Sequence, residues 1–517
     1  MRLGIDFGTT HTVVAFADRG NFPLVSFETD SGDAIDTFPS IVAERDGELR
    51  YGLDALAVAE DPSWSQARSF KRLLGHHTLR SRATVTLGRR AVPLAELVTG
   101  LLTSLKEALE ARSNLTKSLG DGEPLEAVIA APANAFCTQR FLTLEAFRRA
   151  GFTVRAMLNE PSAAGFEYAH RHARTLTSKR EHVLVYDLGG GTFDASLVLM
   201  TGVQHDVVST AGLAELGGDD FDEVLVGLVT RSAGLEPSRL TGHQRRRLAD
   251  LCRVAKEELG PNTRKVTIDL ERVLGAEARS PELTLPVDAF YDACEPLVAR
   301  TIEAMGPILK RMPDADDPLA DVAGVYVVGG ASALPVVARA LRAQFGRRVH
   351  RSPYPHGAVA IGLAIAADER PHFELSDRFS RHFGVFREAA NGQDAAYDTI
   401  FSKQTQLPRP GQPPLEVERR YRAMHNLGHF RFFECASFDS KGYPQGDIAP
   451  LTEVLFPFEP GLMEASLASV PIRRREGAGP LVSERYSVDE QGLVKVTITN
   501  LDSGFVATHV LGSEHAA

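Results

Sequence analysis

The sequence predicts an α/β protein of two lobes followed by an all-β sandwich, and three observations predict it. Two segments, Asp6-Phe7-Gly8-Thr9-Thr10 and Asp187-Leu188-Gly189-Gly190-Gly191-Thr192-Phe193-Asp194, repeat one arrangement: an apolar strand runs into Asp, glycines turn the chain, and hydroxyls follow. Strand-like and helix-like apolar runs then alternate as far as residue 367. Beyond Asp368 helical periodicity largely disappears, and Val494, Val496 and Ile498 alternate with Lys495, Thr497 and Thr499, as a half-buried strand requires.

Composition bounds the reading. The 517 residues exceed one ordinary core and suggest about two to four units, at roughly 100–200 residues each. A hydrophobic content of 43% is enough for substantial cores, which excludes a disordered chain. Asp plus Glu (67) outnumber Lys plus Arg (57) and no long basic block occurs, so no nucleic-acid partner is expected. Arg245 to Arg247 and Arg473 to Arg475 read as solvated surface. Cys137, Cys252, Cys294 and Cys435 form no CxxC pair, so buried reduced thiols are expected rather than a zinc site or a disulfide scaffold. Met1-Arg2 leads straight into a strand and no apolar run is long enough to span a bilayer. Neither signal sequence nor membrane is expected, the cytoplasm is the expected compartment, and Asn114-Leu115-Thr116 matches a glycosylation acceptor by chance.

Each element has its own justification. Leu3 to Ile5 leads into the first glycine turn and Val13 to Phe16 leaves it, which places the turn on a hairpin tip; Val183 to Tyr186 and Ala195 to Met200 do the same for the second. Between 30 and 95 short apolar runs mix with polar turns. Leu97, Leu101, Leu102, Leu105 and Leu109 make the buried stripe of a helix over 94–111. A strand over 125–131 stops at Pro132, residues 138–150 read as a helix, and Glu160-Pro161 opens another whose Ser162, Ala163 and Ala164 permit close packing. Helices dominate from Gly217-Gly218-Asp219-Asp220-Phe221-Asp222 to about Leu259, as an inserted subdomain over roughly 217–300. Val325 to Val328 is a strand ending in Gly329-Gly330 before the helical run 335–345, a third turn able to offer N–H groups to an anion. Residues 358–367 make a buried helix, and Asp368 to His372 breaks the pattern. The units are thus expected at 1–368 and 377–517 with a linker over 369–376. Leu407 to Pro414 reads as a rigid loop between strands.

The paired turns carry the chemistry. Glycine lets backbone N–H groups approach a polyphosphate, threonine hydroxyls add donors, and Asp holds a divalent ion through water. No G-x-x-x-x-G-K-[ST] occurs, and Asp194 stops the triple glycine from continuing as G-x-G-x-x-G, so the P-loop and dinucleotide fingerprints fail. What remains suits a triphosphate and magnesium clamped between two lobes, with groups that orient a water for phosphoryl transfer.

These residues resemble the ATPase domain of the 70-kDa heat-shock (DnaK-like) chaperones, within the actin and sugar-kinase superfamily. Five segments match in order: Gly4 to Thr10 and Asp187 to Asp194 as the two phosphate loops, Phe70 to Gly75 as the catalytic-lysine segment, Asn159 to Ala164 as the connecting motif, and Leu216 to Asp222 as the opening of the inserted lobe. The resemblance implies an actin-like α/β fold of two lobes, each on a duplicated ribonuclease-H-like core, binding ATP or ADP with Mg²⁺. It implies that Asp6 and Asp187 hold the ion through waters and that Gly8, Thr9, Thr10, Gly189, Gly190 and Gly191 line the phosphates. Thr192 then contacts the γ-phosphate region, and Lys71, Glu160 and Asp187 surround the attacking water. Gly217, Gly218, Lys256, Gly329 and Gly330 complete the nucleotide site, while Pro132 and Arg140 relay its state.

At the adenosine end the chain departs from that pattern. Arg253 stands where the family has Glu, Gly260 where it has Ser, and Ala333 where it has an arginine along the base, so weaker ATP affinity or a relaxed choice of nucleotide is expected. Residues 370–377 lack the family's consecutive apolar linker, with Phe373 and Leu375 serving in part, and no helical lid is expected. The implied function is an ATP-dependent chaperone-like protein whose sandwich binds extended peptide or a dedicated protein partner, with a J-domain co-chaperone or nucleotide-exchange factor as further partners. The alternative is a nucleotide-switched scaffold or pseudo-ATPase.

Overall fold

The computed structural model describes residues 1–76, 83–120, 122–201, 204–213, 215–275, 278, 280–310, 319–368, 374–376, 378–379, 381–389, 392–409, 411–440 and 442–512. Strands β1 (Arg2–Phe7) and β2 (His11–Phe16) form an antiparallel hairpin around Gly8 to Thr10. β3 (Phe38–Pro39) lies beside β2, and β4 (Glu126–Ala131) and β5 (Thr153–Asn159) add in parallel beyond β1, giving the order β5-β4-β1-β2-β3. The second lobe repeats the plan. Its hairpin is β6 (His182–Leu188) and β7 (Phe193–Thr201), β8 (Gln204–Leu213) follows antiparallel, and β9 (Val322–Val328) and β10 (Val349–Arg351) add in parallel. Every residue of β9 is buried, as a parallel strand covered on both faces requires.

Eight principal helices cover and join these sheets: α1 (Leu94–Ala111), α2 (Cys137–Arg149), α3 (Glu160–His172), α4 (Gly218–Ala233), α5 (Gly242–Glu257), α6 (Val287–Ala304), α7 (Pro335–Phe345) and α8 (Ala358–Ala367). The leucine stripe of α1 is buried as its spacing requires. Helices α3 and α8 occupy equivalent places, one after β5 and the other after β10, and they meet between the lobes. A Cβ on Gly362 would lie 1.8 Å from the carbonyl oxygen of Ala163, and one on Gly4 would lie 2.2 Å from the amide nitrogen of Ala364. The small residues after Glu160 therefore serve the close packing expected of them.

Beyond the lobes, β12 (His382–Ala389), β13 (Asp394–Phe401), β14 (Leu415–Arg422), β15 (Leu427–Cys435), β16 (Ala449–Pro457), β17 (Leu481–Val488), β18 (Val494–Asn500) and β19 (Val506–Val510) build two sheets, numbered after β11 (Glu374–Ser376). Their orders are β13-β12-β15-β16 and β14-β17-β18-β19. Phe383, Phe432, Phe456, Tyr486, Val496 and Ile498 pack between them. An ion-pair chain ties the two sheets: Arg387 donates to Glu484 at 2.8 and 3.0 Å and to Asp398 at 2.7 Å, and Asp398 also accepts Arg419 at 3.2 Å. Among the described residues no strand forms between β13 and β14, where the Pro-rich loop was expected.

Contacts at β11 and at α2 tie this region to the lobes. The backbone of β11 pairs in parallel with residues 204–206 of β8 and becomes the sixth strand of the second sheet. Backbone pairing needs no apolar side chains, so the linker sequence gave no hint of it; Arg370 to Phe373 and Asp377 lie outside the described residues. At α2, Arg140 donates to the carbonyl of Gln491 at 2.8 and 3.0 Å, Arg148 donates to its side chain at 3.2 Å, and the buried Glu434 accepts the Cys137 N–H at 3.0 Å. One solvated-surface expectation is corrected: Arg247 meets Glu60 at 3.4 Å, which Arg272 also meets at 2.9 Å, so this arginine joins the two lobes while Arg245 and Arg246 stay exposed. All four cysteines are buried and free.

Candidate active site

The two hairpin tips face each other across a cavity of about 360 Å³. A Cβ on Gly190 would lie 2.5 Å from the Thr10 hydroxyl oxygen, and one on Gly191 would lie 2.8 Å from the Thr9 methyl, so only bare backbone allows this approach. Gly189 N donates to the carbonyl of Thr192 at 3.0 Å and closes the second turn. Gly8, Thr9, Thr10, Gly189, Gly190 and Thr192 line the cavity. Gly191 and Gly217 sit behind it: a Cβ on Gly217 would fall 2.6 Å from the Gly191 backbone, while Gly218 N and Asp219 N donate to the carbonyls of Gly189 and Gly190 at 2.9 and 2.8 Å. The start of α4 thus buttresses the second loop.

Asp6 and Asp187 are the penultimate residues of β1 and β6 and line the same cavity. Burial, reinforced by the Glu160 carboxylate and opposed by Lys71, pushes Asp6 up to about 7. Asp187 is raised well above its ordinary range by burial, then by Glu160, Asp6 and Asp194. Asp194, the register partner of Asp187 across the hairpin, is pushed to about 7 by burial and Glu160. Carboxylates crowded at such cost suit a divalent cation, whose charge reverses the penalty. Among the described residues no three His, Cys, Asp or Glu side chains converge as direct ligands, so the donor set fits an ion held through water.

Lys71 sits on a short 3₁₀ helix over Phe70–Gly75. Its ammonium donates to the carbonyl of Phe7, lies 3.5 Å from Glu160 Oε1 and stands 5.1 Å over the Phe7 ring. Ser69 just before it is held at φ 54, donating to Asp219 at 2.7 Å, and Arg72 just after it reaches Asp220 at 3.4 Å. The lysine turn of one lobe is thereby tied to the α4 start of the other. Glu160 opens α3, and the preceding Asn159 accepts Arg140 at 3.1 Å, so one residue separates the Lys71 pair from the arginine that reaches the sandwich.

The other end of the cavity is built differently. Lys256 lies 2.7 Å from Asp222 and donates to the carbonyl of Gly218 at 2.9 Å. Arg253 meets Asp222 at 3.2 Å and Asp250 at 3.3 Å. Gly329 takes φ +85, and a Cβ there would strike Asp187 at 2.3 Å; with Gly330 and Ala333 it lines the cavity wall. Gly260 N donates to Thr263 at 3.0 Å. The rim residues Asp36 and His356, joined at 2.9 Å, were missed in the sequence because they lie far apart along the chain. His11, also missed, is pushed down to about 4 by burial and by Arg253 and Arg68. Asp194 was visible in its motif, and its place opposite Asp187 in a hairpin was the signal for it.

Comparison with known proteins accords with this arrangement. The family model "Hsp70 protein" matches residues 2–374. A chaperone protein HscA homolog of Burkholderia multivorans is 35% identical over 379 residues, covering 71% of this chain and 58% of that protein. Homologs of the same name from Burkholderia ambifaria and Burkholderia pseudomallei are each 34% identical with the same coverage. The chain therefore spans about 58% of the length of the curated relatives it matches. With two facing glycine loops, a doubled sheet plan and a family match across both lobes, the chain belongs to the Hsp70 family.

Proposed function

We propose that this chain is a magnesium-dependent ATPase of the Hsp70 type whose nucleotide state governs binding by the sandwich. The observation that carries the reading is the placement of Lys71, Glu160, Asp6 and Asp187 around the cavity between the two loops. Backbone N–H groups of both loops and the hydroxyls of Thr9, Thr10 and Thr192 bind the phosphates. Magnesium, when bound through water to Asp6 and Asp187, supplies charge neutralisation for the triphosphate. Lys71 and Glu160, held together at 3.5 Å, orient a water in line with the terminal phosphate, and Asp187 beside them, kept ionised once the cation is bound, takes up its proton. The lobes exclude bulk water by closing, with Ser69–Asp219 and Arg72–Asp220 as the contacts that meet across them.

In the same proposal residues 1–368 form the ATPase unit, 369–376 the linker and 377–517 the binding unit, acting in the cytoplasm as a chaperone. Its ligands are extended peptide segments, with a J-domain co-chaperone or an exchange factor setting the cycle. The support is family membership together with the Arg140–Gln491 and β8–β11 contacts between the units. Hydrolysis of ATP by the purified chain with and without an unfolded protein tests it. Slow magnesium-dependent turnover, quickened by the unfolded protein, is expected. Nucleotide binding with no turnover would instead assign a pseudo-ATPase.

A further inference from the structure

Strand β14 (Leu415–Arg422) lies at a sheet edge, paired among the described residues with β17 alone. Its burial alternates: Glu416, Glu418, Arg420 and Arg422 are exposed, whereas Val417, Arg419 and Tyr421 are half-buried. The edge thus presents a row of backbone N–H and C=O groups open to pairing. Along it the exposed face reads acid, acid, base, base.

Against a second copy running antiparallel, that series is its own complement. With Arg419 on the two-fold axis, Glu416 faces Arg422 of the second copy and Glu418 faces its Arg420, and symmetry doubles both pairs. On the inner face Val417 meets Tyr421. The two Arg419 side chains do not meet as bare charges, because each is held by Asp398 at 3.2 Å. Register is specified as well. A slip by one residue moves the charges to opposite faces, a slip by two sets Glu418 on Glu418 or Arg420 on Arg420, and parallel in-register pairing sets like on like. Within its own copy Glu418 already meets Arg420 at 2.9 Å and Ser483 at 2.6 Å, but Glu416 has no ion pair among the described residues. A second copy supplies it with one.

We propose that the chain forms a two-fold homodimer through antiparallel pairing of Leu415–Arg422, joining two four-stranded sheets into one continuous sheet. The test is sedimentation equilibrium of the full chain over a concentration series, for wild type, Glu416→Lys/Glu418→Lys and Arg420→Glu/Arg422→Glu. Wild type is expected at twice the monomer mass, each reversal is expected to weaken the dimer ~10-fold or more, and an equimolar mixture of the two reversals is expected to dimerise again. Among the described residues Glu416→Lys alone removes no side-chain hydrogen bond or ion pair within the copy, so it weakens the dimer without a cost to folding, and Arg422→Glu added to it restores pairing. A wild type that stays monomeric throughout, reversals that remain dimeric, or a mixture that stays monomeric overturns the proposal. Unchanged circular dichroism confirms that the variants compared are folded.

Discussion

The two ends of the cavity, one proposed to hold phosphate and the other the base, are built on opposite principles. At the phosphate end three carboxylates, Asp6, Asp187 and Asp194, are crowded with Glu160 around one lysine, and burial holds them far above their ordinary range. At the other end the charges are spent on each other: Asp222 takes both Lys256 and Arg253, and the cavity wall beside them is Gly330 and Ala333. One end is electrostatically unfinished. The other is already neutral and offers a ligand little beyond shape. Reaction chemistry and base recognition are therefore expected to respond very differently to mutation.

The largest effect should fall on the unfinished end. Lys71→Ala removes the cation that balances Glu160 and the phosphates, and Asp187→Asn removes the proton acceptor; each should lower kcat by about 100- to 1,000-fold. Nucleotide affinity, read by fluorescence titration, should change far less. A variant that kept its kcat would break the contrast between the two ends.

The same crowding predicts a pH dependence. Asp6 and Asp194 ionise near 3.8 when unfolded and at about 7 when folded, so between these values the folded protein binds the additional protons. Stability without ligand is then greatest at the acid side of that window and falls as pH rises through it. The loss is on the order of 4 kcal/mol per carboxylate. Asp6→Asn should flatten part of that slope in thermal melts, and magnesium with ADP should steepen its protection as pH rises. A ligand-free Tm that climbs between pH 4 and 7 by the same amount in wild type and Asp6→Asn would sink the account.

How much of this was legible in the sequence follows the same divide. The two glycine turns could be read because their requirements are local: a tight turn needs Gly189 to Gly191 in consecutive positions, and the strand before it must be apolar. The helices over 94–111 and 335–345 were legible for the same reason, each carrying its own periodicity, and that over 358–367 was legible as an unbroken apolar run. Contacts between distant residues left no such trace. Asp36–His356, Ser69–Asp219 and the Glu434 cap on α2 join positions hundreds of residues apart or in different lobes. The pairing of β11 used only backbone atoms, which every residue but proline supplies. Gly217, expected beside the ligand, turned out to act one layer back, where it admits the Gly191 backbone.

An intermediate effect should appear where the phosphate end connects to the sandwich. Arg140 holds Asn159, the neighbour of Glu160, with one nitrogen and the Gln491 carbonyl with the others. Arg140→Ala removes three buried hydrogen bonds at once, at a cost of about 2 kcal/mol. Limited proteolysis near residues 369–376 should then become faster in the variant and insensitive to exchange of ATP for ADP, while wild type differs between the two. Identical digestion of wild type with both nucleotides would disconnect the cavity from the sandwich.

The smallest effect sharpens the neutral end. Ala333 lines the cavity with no polar group of its own, and the nearby cations Arg253 and Lys256 are committed to Asp222. Ala333→Arg would place a planar guanidinium along the wall, able to stack on a purine and free of any carboxylate already paired there. A stacked cation at a partly exposed site contributes about 1 kcal/mol, so ADP should bind about fivefold tighter, by calorimetry, with kcat unchanged. The converse swap, Arg253→Glu, crowds a third carboxylate against Asp222 and Asp219 and should weaken binding rather than restore it. If Ala333→Arg left ADP affinity unchanged while Arg253→Glu raised it, the neutral end would be limited by its charges and not by its missing surface.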